Sequence, residues 1–212
     1  MHKIRLSRLA IAGLLGATLG LAAAARVVLA DAPAPLLEIA KDERILGNPA
    51  APITIVEYAS MTCPHCAHFA KEVLPELKRK WIDTGKVKLV LRDFPLDQLA
   101  LRAAMIQRCA PPDRFYAFAD MFFADQHQWV TADDANAALA RLAALGGMSR
   151  SEVDACLKNS ALENYILQER LVASKNLGVE ATPTFFINGS KFAGAPTVAD
   201  FDKVLSDLAP KS

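Results

Sequence analysis

The order of apolar and polar positions along the chain predicts two groups of strands separated by a long helical segment. Residues 53–58 are mostly apolar and β-branched, which is typical of a buried strand. In residues 64–80 apolar side chains recur at four-residue spacing, which predicts a helix, and Pro75 inside it predicts a kink. Residues 87–91 predict a second strand, and a connection through a helix requires the two strands to be parallel.

The middle of the chain has a helical composition. Residues 96–177 are rich in Ala, Leu, Arg, Gln and Met, and they predict four or five helices and no strand. Residues of the types that favour helix N-termini suggest where these helices begin: Asp97, Asp113, Thr131 and Ser149. Residues 31–52, before the first strand, are interrupted by four prolines and are expected to be an irregular lead-in.

The chain returns to strands after Gly178. Residues 184–187 and 190–193 flank Asn188-Gly189, and this dipeptide between two strand-like segments is the strongest short signal for a β-hairpin. Residues 197–208 predict a final helix. The order is therefore β-α-β, a helical block of about eighty residues, and β-β-α, which predicts an α/β fold with a helical insertion.

Aromatic side chains are concentrated in residues 115–130. Their helical spacing favours a place in the core, and a groove for a partner is the alternative. Trp129 lies next to polar residues, close to Gln126 and His127, and we expect it to be the exposed member of the set.

Composition and charge exclude several classes of protein. Of the 212 residues, 52% are hydrophobic and 22% are charged, which excludes a disordered tail or a collagen-like repeat and suits one globular domain with an inserted subdomain. Residues 1–30 carry a charge of +4, whereas the rest of the chain, with 20 basic and 23 acidic side chains, carries −3. That distribution lacks the basic stripe of nucleic-acid binders, so no nucleic-acid partner is expected.

Residues 1–30 have the pattern of a secretory signal peptide. A short basic start precedes an uncharged run at residues 9–25, and Val28 and Ala30 suit cleavage after Ala30. An uncleaved membrane anchor is the alternative, because Arg26 lies unusually close to the proposed cleavage point. In both cases the folded part faces an oxidising compartment, and we expect the periplasm.

The segment Cys63-Pro64-His65-Cys66 directly follows a predicted strand and opens a predicted helix. Residues three apart on a helix lie about 5–6 Å apart, which is within reach of a disulfide. Cys63 meets the free N–H groups and the positive dipole end of the helix, so its pKa should be well below the usual value of about 8.5. Pro64 suits the first helical turn, and His65 would stabilise the thiolate further.

Two other uses of this cysteine pair stay open. A structural disulfide is one, but a bridge over so short a loop would stabilise the protein little. A metal site is the other, since His65 and His68 lie close in sequence, and a copper(I)-binding thiolate pair is one form that stays open. A structural zinc site usually needs a second pair of ligands, and the sequence has no further CxxC or HxxxH. We therefore favour a redox-active pair with no metal and no cofactor.

The order of strand, CPHC, helix and, much later, Ala-Thr-Pro-Thr-Phe-Phe at residues 181–186 resembles the thioredoxin fold. With its helical insertion the chain resembles the DsbA-type thiol:disulfide oxidoreductases over roughly residues 45–208. The resemblance implies an α/β thioredoxin fold with an inserted all-helical subdomain. Its parts are then a signal peptide (1–30), a first thioredoxin part with its lead-in (31–96), the helical insertion (97–177) and a second thioredoxin part (178–212).

The resemblance also assigns roles to residues outside the CPHC segment. It implies that Pro183 is cis and lies beside the cysteines, and that the backbone of Thr182 helps to dock an extended substrate; a trans proline that starts a strand is the alternative. Glu57, a carboxylate in an otherwise apolar strand six residues before Cys63, matches a buried acid of this family. There it would assist proton transfer at Cys66, whereas the alternative is a solvated glutamate at the end of the strand.

Cys109 and Cys156 form a second pair, within the helical block. In an exported protein an even leftover pair is usually bridged, and one branch of the DsbA-like family has such a bridge. A structural disulfide is therefore expected, and two free buried thiols are the alternative.

The sequence thus predicts an exported oxidase that introduces disulfides into other proteins. A substrate thiol attacks Cys63, and the second substrate thiol resolves the mixed disulfide and releases reduced Cys63 and Cys66. The resemblance implies that reduced exported proteins are the substrates and that a DsbB-type membrane partner reoxidises the pair. A monomer is expected, and a disulfide isomerase or reductase and a copper-handling thiol protein are the alternatives.

Overall fold

Five strands form one mixed sheet in this computed structural model, which describes residues 34–41, 43–193 and 196–209. In that part of the chain the parallel pair predicted from the sequence is present, because the second and third strands run in the same direction. The other neighbouring strands pair antiparallel. The strands are β1 (Ile45–Gly47), β2 (Ile53–Ala59), β3 (Val87–Asp93), β4 (Thr184–Ile187) and β5 (Ser190–Ala193), in the order β1-β3-β2-β4-β5.

The hairpin between β4 and β5 turns at Asn188 and Gly189, as the sequence predicts. Their φ angles are 46° and 89°. Positive φ at both central residues is the requirement of a type I′ turn, and Asn and Gly adopt it at little cost. The Asn188 side chain also accepts a hydrogen bond from the backbone N–H of Thr54 at 2.8 Å, which holds the turn against β2.

The helical segment after β2 continues to Ile82 but changes its geometry on the way. Two α-helical stretches, α2 (Pro64–His68) and α3 (Leu74–Leu77), alternate with π-helical stretches at Phe69–Val73 and Lys78–Ile82. Pro75 has no N–H with which to continue the α-helical bonding pattern. The structure accommodates it with the π-helical stretch directly before α3, where the backbone N–H of Leu74 bonds the carbonyl of Phe69.

Six α-helices lie between β3 and β4, whereas the sequence predicts four or five. One break was missed because only Asp125 separates two helices, and neither Gly nor Pro marks it. The helices are α4 (Gln98–Cys109), α5 (Phe115–Ala124), α6 (Gln126–Val130), α7 (Ala135–Leu145), α8 (Arg150–Leu157) and α9 (Ser160–Leu177), with a short 3-10 turn at Pro112–Arg114; α10 (Val198–Leu208) follows β5.

Two of the four predicted N-terminal caps are present. Asp97 caps α4, and Ser149 forms a capping box with α8. The other two predictions were wrong, since Asp113 lies inside the 3-10 turn and Thr131 follows the end of α6. Asp134, three residues further on, caps α7 in place of Thr131 because its carboxylate accepts the backbone N–H of the third residue along.

The lead-in before β2 has more regular structure than the sequence predicts, because it contains α1 (Ala34–Leu37) and β1. The guanidinium of Arg92 on β3 holds it in place. It donates to both carboxylate oxygens of Glu43, at 2.6 and 2.9 Å, and to backbone carbonyls in residues 36–38.

Within the described residues no helix is long and apolar enough to cross a membrane, and the predicted signal segment 1–30 lies outside them.

The helical insertion has an aromatic core, as predicted, but Trp129 belongs to it. The Trp129 side chain is 1% exposed and packs in one cluster with Phe118 and Phe122. Its indole N–H donates to the carbonyl oxygen of Phe122 at 2.7 Å, so the polar edge is satisfied inside the protein. The prediction that Trp129 is exposed was wrong for this reason. The same cluster includes Cys63 and Cys66, so the insertion packs directly against the CPHC segment.

Candidate active site

Cys63 lies at the junction between β2 and α2. It is the N-cap residue of α2, with extended backbone angles, and Pro64 takes the first helical position, where no N–H is needed. The carbonyl of Cys63 accepts the backbone N–H of Ala67 at 3.1 Å and begins the helical bonding. The N–H groups of the first turn are therefore directed towards the Cys63 side chain.

The two thiols of the segment have opposite pKa shifts. A hydrogen bond from the Cys66 thiol, together with the backbone N–H groups of Cys66 and His65, outweighs the effect of burial and lowers the pKa of Cys63 to about 5. Burial raises the pKa of the Cys66 thiol well above its usual value, and the nearby Cys63 and Glu57 act in the same direction. Cys63 is 5% exposed and Cys66 is 0% exposed, so Cys63 is the more accessible of the two. His65 itself is exposed, and its backbone is the part that contacts Cys63.

Glu57 is buried on β2, which excludes the alternative of a solvated glutamate. It shares a face of the strand with Ile53 and Ile55, as the two-residue period of a strand requires. Burial and the charge of Cys63 raise the pKa of Glu57 to about 8, so the carboxyl group is mostly protonated at neutral pH. Its Oε1 atom has no hydrogen-bond partner in the part of the chain that the structure describes. A neutral, incompletely bonded acid close to both cysteines is suited to moving a proton.

Residues from the second thioredoxin part complete the site. The peptide bond between Thr182 and Pro183 is cis. The Sγ atom of Cys63 lies 3.2 Å from the carbonyl oxygen of Thr182, which accepts the proton of the thiol form. The structure thus brings Cys63, Cys66, Glu57 and this loop together.

A residue that the sequence did not single out, Gln126, also contacts the site. Its side chain is buried at the start of α6, and the amide Nε2 donates to the carbonyl oxygens of Met61 and Cys63, at 2.8 and 2.9 Å. On the other side of the same loop, the hydroxyl of Thr62 donates to Asp97 at 2.7 Å. No sequence signal marks Gln126, because its partners are backbone atoms.

A cleft of about 380 Å³ lies beside the loop that carries Cys63. It runs between the helical segment after β2 and α6, so both the thioredoxin part and the insertion contribute to it. Polar and apolar side chains line it together, and the polar ones include Thr62, His68, Lys71, Glu72, Gln126 and His127.

The second cysteine pair lies away from this site. Cys109, the last residue of α4, and Cys156 on α8 form a disulfide with a Cα–Cα distance of 6.2 Å.

Over the residues that the structure describes, there is no group of three or more His, Cys, Asp or Glu side chains placed to hold a metal ion.

Comparison with known proteins agrees with this arrangement. A family model described as Thioredoxin matches residues 40–207. The crystal structure of alpha-DsbA1 from Wolbachia pipientis superposes with a TM-score of 0.77 at 33% identity, over 82% of this chain and 94% of that chain. The chain belongs to the thioredoxin family, in its DsbA-like branch. The thioredoxin fold with an inserted helical subdomain, expected from the sequence, is confirmed.

Two further relatives have different names. A crystal structure titled protein-disulfide isomerase, from Novosphingobium aromaticivorans, has a TM-score of 0.70 at 32% identity and is similar over 80% of this chain and 99% of that one. A Rickettsia bellii protein assigned as a protein-disulfide oxidoreductase is 34% identical over 153 residues, which is 72% of this chain and 59% of that protein. This DsbA-like chain spans between 54% and 59% of the length of five such Rickettsia relatives.

Proposed function

We propose that this protein is a thiol:disulfide oxidoreductase that introduces disulfides into reduced exported proteins through Cys63 and Cys66. The observation that carries the proposal is the arrangement of the two sulfurs. Cys63 is at the start of a helix beside the cis-proline loop, and Cys66 is fully buried behind it, next to a neutral Glu57. In the disulfide form of the pair, this arrangement supports the role of Cys63 as a good leaving group and that of Glu57 as the proton donor for Cys66.

The reaction begins with the disulfide form of the pair. A substrate thiolate attacks the Sγ atom of Cys63, a substrate–Cys63 bond forms, and the Cys63–Cys66 bond breaks. The electron pair leaves on Cys66, whose thiolate is strongly disfavoured by burial. The carboxyl group of Glu57 supplies the proton that makes Cys66 a thiol, which it can do because burial raises its pKa above the usual value and keeps it protonated.

The second step releases the substrate. The other substrate thiol loses its proton and attacks the substrate sulfur of the mixed disulfide, and Cys63 leaves as a thiolate. A pKa of about 5 makes Cys63 a good leaving group at neutral pH. The substrate has then lost two electrons and gained a disulfide, and the pair holds one thiolate and one thiol. The backbone of Thr182 would position an extended substrate beside Cys63.

The cellular setting is part of the same proposal. Residues 1–30 direct export and are removed after Ala30, so that the mature chain acts in the periplasm as a monomer. A membrane partner of the DsbB type reoxidises Cys63 and Cys66. The basic start and apolar run of the segment, together with membership of the DsbA-like branch, support this setting.

A disulfide isomerase is the second candidate, because a close structural relative is titled as one. The reduction potential of the Cys63–Cys66 pair in a glutathione series tests whether the pair is a net oxidant, and reactivation of a protein with scrambled disulfides by the reduced pair tests for the isomerase. An oxidase is expected to give a value near or above about −150 mV, whereas a value near about −270 mV identifies a reductant and contradicts the proposal. The same protein, added in its disulfide form to a reduced two-cysteine peptide, should oxidise it stoichiometrically.

A further inference from the structure

We propose that Gln126, a residue of the helical insertion, positions the Cys63 loop and thereby sets the acidity of the Cys63 thiol. The inference rests on the proposed function, because it concerns the same sulfur. Gln126 does not touch the reacting atoms and is a positioning residue. Its importance follows from where its two hydrogen bonds end.

The amide of Gln126 bonds the loop at two points that are two residues apart. Its Nε2 atom lies 2.8 Å from the carbonyl oxygen of Met61 and 2.9 Å from that of Cys63. A side-chain amide has two N–H bonds, and both are used here to fix the orientation of two peptide planes, the one between Met61 and Thr62 and the one between Cys63 and Pro64. The amide is buried, so water does not offer either carbonyl an equivalent partner.

The orientation of these planes matters for the Cys63 sulfur. The carbonyl of Cys63 is also the first acceptor of α2, through the N–H of Ala67 at 3.1 Å. The first turn of α2 supplies the N–H groups of His65 and Cys66 that stabilise the thiolate. The carbonyl of Cys63 thus accepts one hydrogen bond from the Gln126 side chain and another from the backbone of α2. Together they keep the Cys63 sulfur close to the N–H groups of His65 and Cys66.

The loop has no equivalent support from its own sequence. Cys63 has no side-chain cap for α2. Among the described residues the loop's own hydrogen bonds are that between the Cys63 N–H and the Ser60 carbonyl at 3.0 Å and that between the Ser60 and Thr62 hydroxyls at 3.3 Å, and neither of them holds the carbonyl of Cys63. The other side-chain contact from the insertion, Thr62 with Asp97, is on an exposed edge. The buried anchor is therefore Gln126, and it belongs to a segment that is absent from the minimal β-α-β and β-β-α parts of the fold.

The decisive variant is Gln126→Met, which keeps the length of the side chain and removes both N–H donors. Its Cys63 pKa, measured from the pH dependence of alkylation by iodoacetamide, should rise by half a unit or more. The ratio of thiolate to thiol at pH 5 then falls about threefold. The glutathione equilibrium constant should shift by a similar factor towards a weaker oxidant, since the thiolate form stabilises the reduced state. Gln126→Glu, in which a carboxylate faces the same carbonyls, should give a larger rise.

Gln128→Ala is the matched control, because Gln128 is on the same helix but exposed. It should leave the Cys63 pKa and the glutathione equilibrium unchanged. A folded Gln126→Met variant that has the wild-type Cys63 pKa overturns the proposal, even if its thermal stability is lower. A changed pKa in a protein that fails to oxidise peptides supports Gln126 and contradicts the proposed function, so the two failures are distinguishable.

A second measurement uses the unchanged protein and does not depend on the folding of a variant. The two side-chain amide protons of Gln126 should exchange with solvent much more slowly than those of Gln128, because each proton of Gln126 is bonded to a buried backbone carbonyl. Equal exchange rates for the two side chains would show that the bonds to Met61 and Cys63 are not maintained in solution, and the proposal would fall.

Discussion

The Sγ atom of Cys63 and the carbonyl oxygen of Thr182 lie 3.2 Å apart, although 119 residues separate them in sequence. The contact exists because β2 and β4 are neighbours in the sheet, with Tyr58 opposite Thr184. The sulfur comes from the end of one strand, and the carbonyl comes from the start of the other. The site is therefore a property of the assembled sheet, and its chemistry can be tested only on the folded protein.

The first prediction concerns the pH dependence of the reduction potential. Because the pKa of Cys63 is about 5 and that of Cys66 is well above its usual value, reduction takes up one proton across the neutral range. One proton for two electrons gives a slope of about −30 mV per pH unit, and below pH 5 the slope should approach about −59 mV. Glutathione equilibria from pH 4 to pH 8 measure this. A slope near −59 mV at pH 7 would show that Cys63 is a thiol there.

The second prediction concerns proton transfer by Glu57. The Glu57→Gln variant keeps the size of the side chain but has no proton to give to Cys66. Oxidation of a reduced peptide at pH 7 should therefore slow by about 10²-fold or more, within the range of a lost general acid. Stopped-flow fluorescence can follow the first thiol exchange. Glu76→Gln, on the helical segment after β2 but outside the cleft beside Cys63, is the control and should react at the wild-type rate.

A third prediction follows from the signs of two pKa shifts. Glu57 has a raised folded pKa, so the stability it contributes is complete below pH 4.5 and is lost as the pH rises through about 8. Cys63 has a lowered folded pKa, so its contribution is complete above pH 9.0 and is lost as the pH falls through about 5. The disulfide form lacks the second effect, because a bridged cysteine does not titrate.

Between pH 5 and pH 8 the disulfide form should therefore lose stability as the pH rises, whereas the reduced form should change little because the two effects oppose each other. Urea unfolding of both forms at pH 5.5 and pH 7.5 measures the difference. In Glu57→Gln the stability of the disulfide form should become insensitive to pH over this range, and the stability of the reduced form should increase as the pH rises. If both forms of the wild-type protein show the same slope, the Cys63 thiol does not titrate as described.

The fourth prediction concerns the bridge between Cys109 and Cys156. It closes a loop with a sequence separation of 47, and in the chain-entropy model such a closure stabilises the folded state by about 4 kcal/mol at most. Replacing both cysteines with alanine should lower the free energy of unfolding by a large part of that amount. Urea unfolding measures it without reductant, with Cys63 and Cys66 replaced by alanine in both proteins so that the Cys109–Cys156 bridge is the one difference between them. A loss below about 1 kcal/mol would mean that the bridge has no structural role.

The fifth prediction compares two ion pairs of the same chemical type. Arg92 and Glu43 have side chains that are 7% and 6% exposed, whereas Arg79 and Glu76 are 66% and 47% exposed. Removing one partner of a buried pair leaves an uncompensated charge, so Glu43→Leu should cost about 3–5 kcal/mol in stability. Glu76→Leu, the matched control, should leave the midpoint of urea unfolding unchanged. Equal effects would show that Arg92 does not hold the lead-in against β3.

The parts of the site that the sequence could predict are those with a local signature. Cys63 and Cys66 are marked by their spacing at the start of a helix, and Glu57 is marked by its place in an apolar strand. The positions of β2 and β3 follow from β-branched runs, and the hairpin follows from Asn188-Gly189. In each case the physical cause acts within a few residues, so a short window of sequence contains it.

The features that were missed depend on distant partners. Gln126 bonds the carbonyl of Cys63 across 63 residues. Because every residue has a backbone carbonyl, the sequence does not indicate which of them a distant side chain will bond. Arg92 holds Glu43 across 49 residues and keeps the lead-in ordered, although that segment has an irregular composition. Trp129 was placed wrongly because its indole N–H finds a carbonyl inside the insertion, which polar neighbours in the sequence do not reveal.

The pairing of β2 with β4 has a consequence for the order in which a newly made chain can fold. β2, α2 and β3 are contiguous, so they can associate before the rest of the chain is available, through the helical connection that follows β2. Bringing Thr182 to Cys63 closes a loop of 119 residues, at an entropic cost of roughly 4 kcal/mol. The Cys109–Cys156 bridge spans 47 of those residues and lowers that cost by only roughly 0.4 kcal/mol. Until residue 182 is available as well, the chain thus carries two exposed cysteines without the carbonyl that will later contact Cys63.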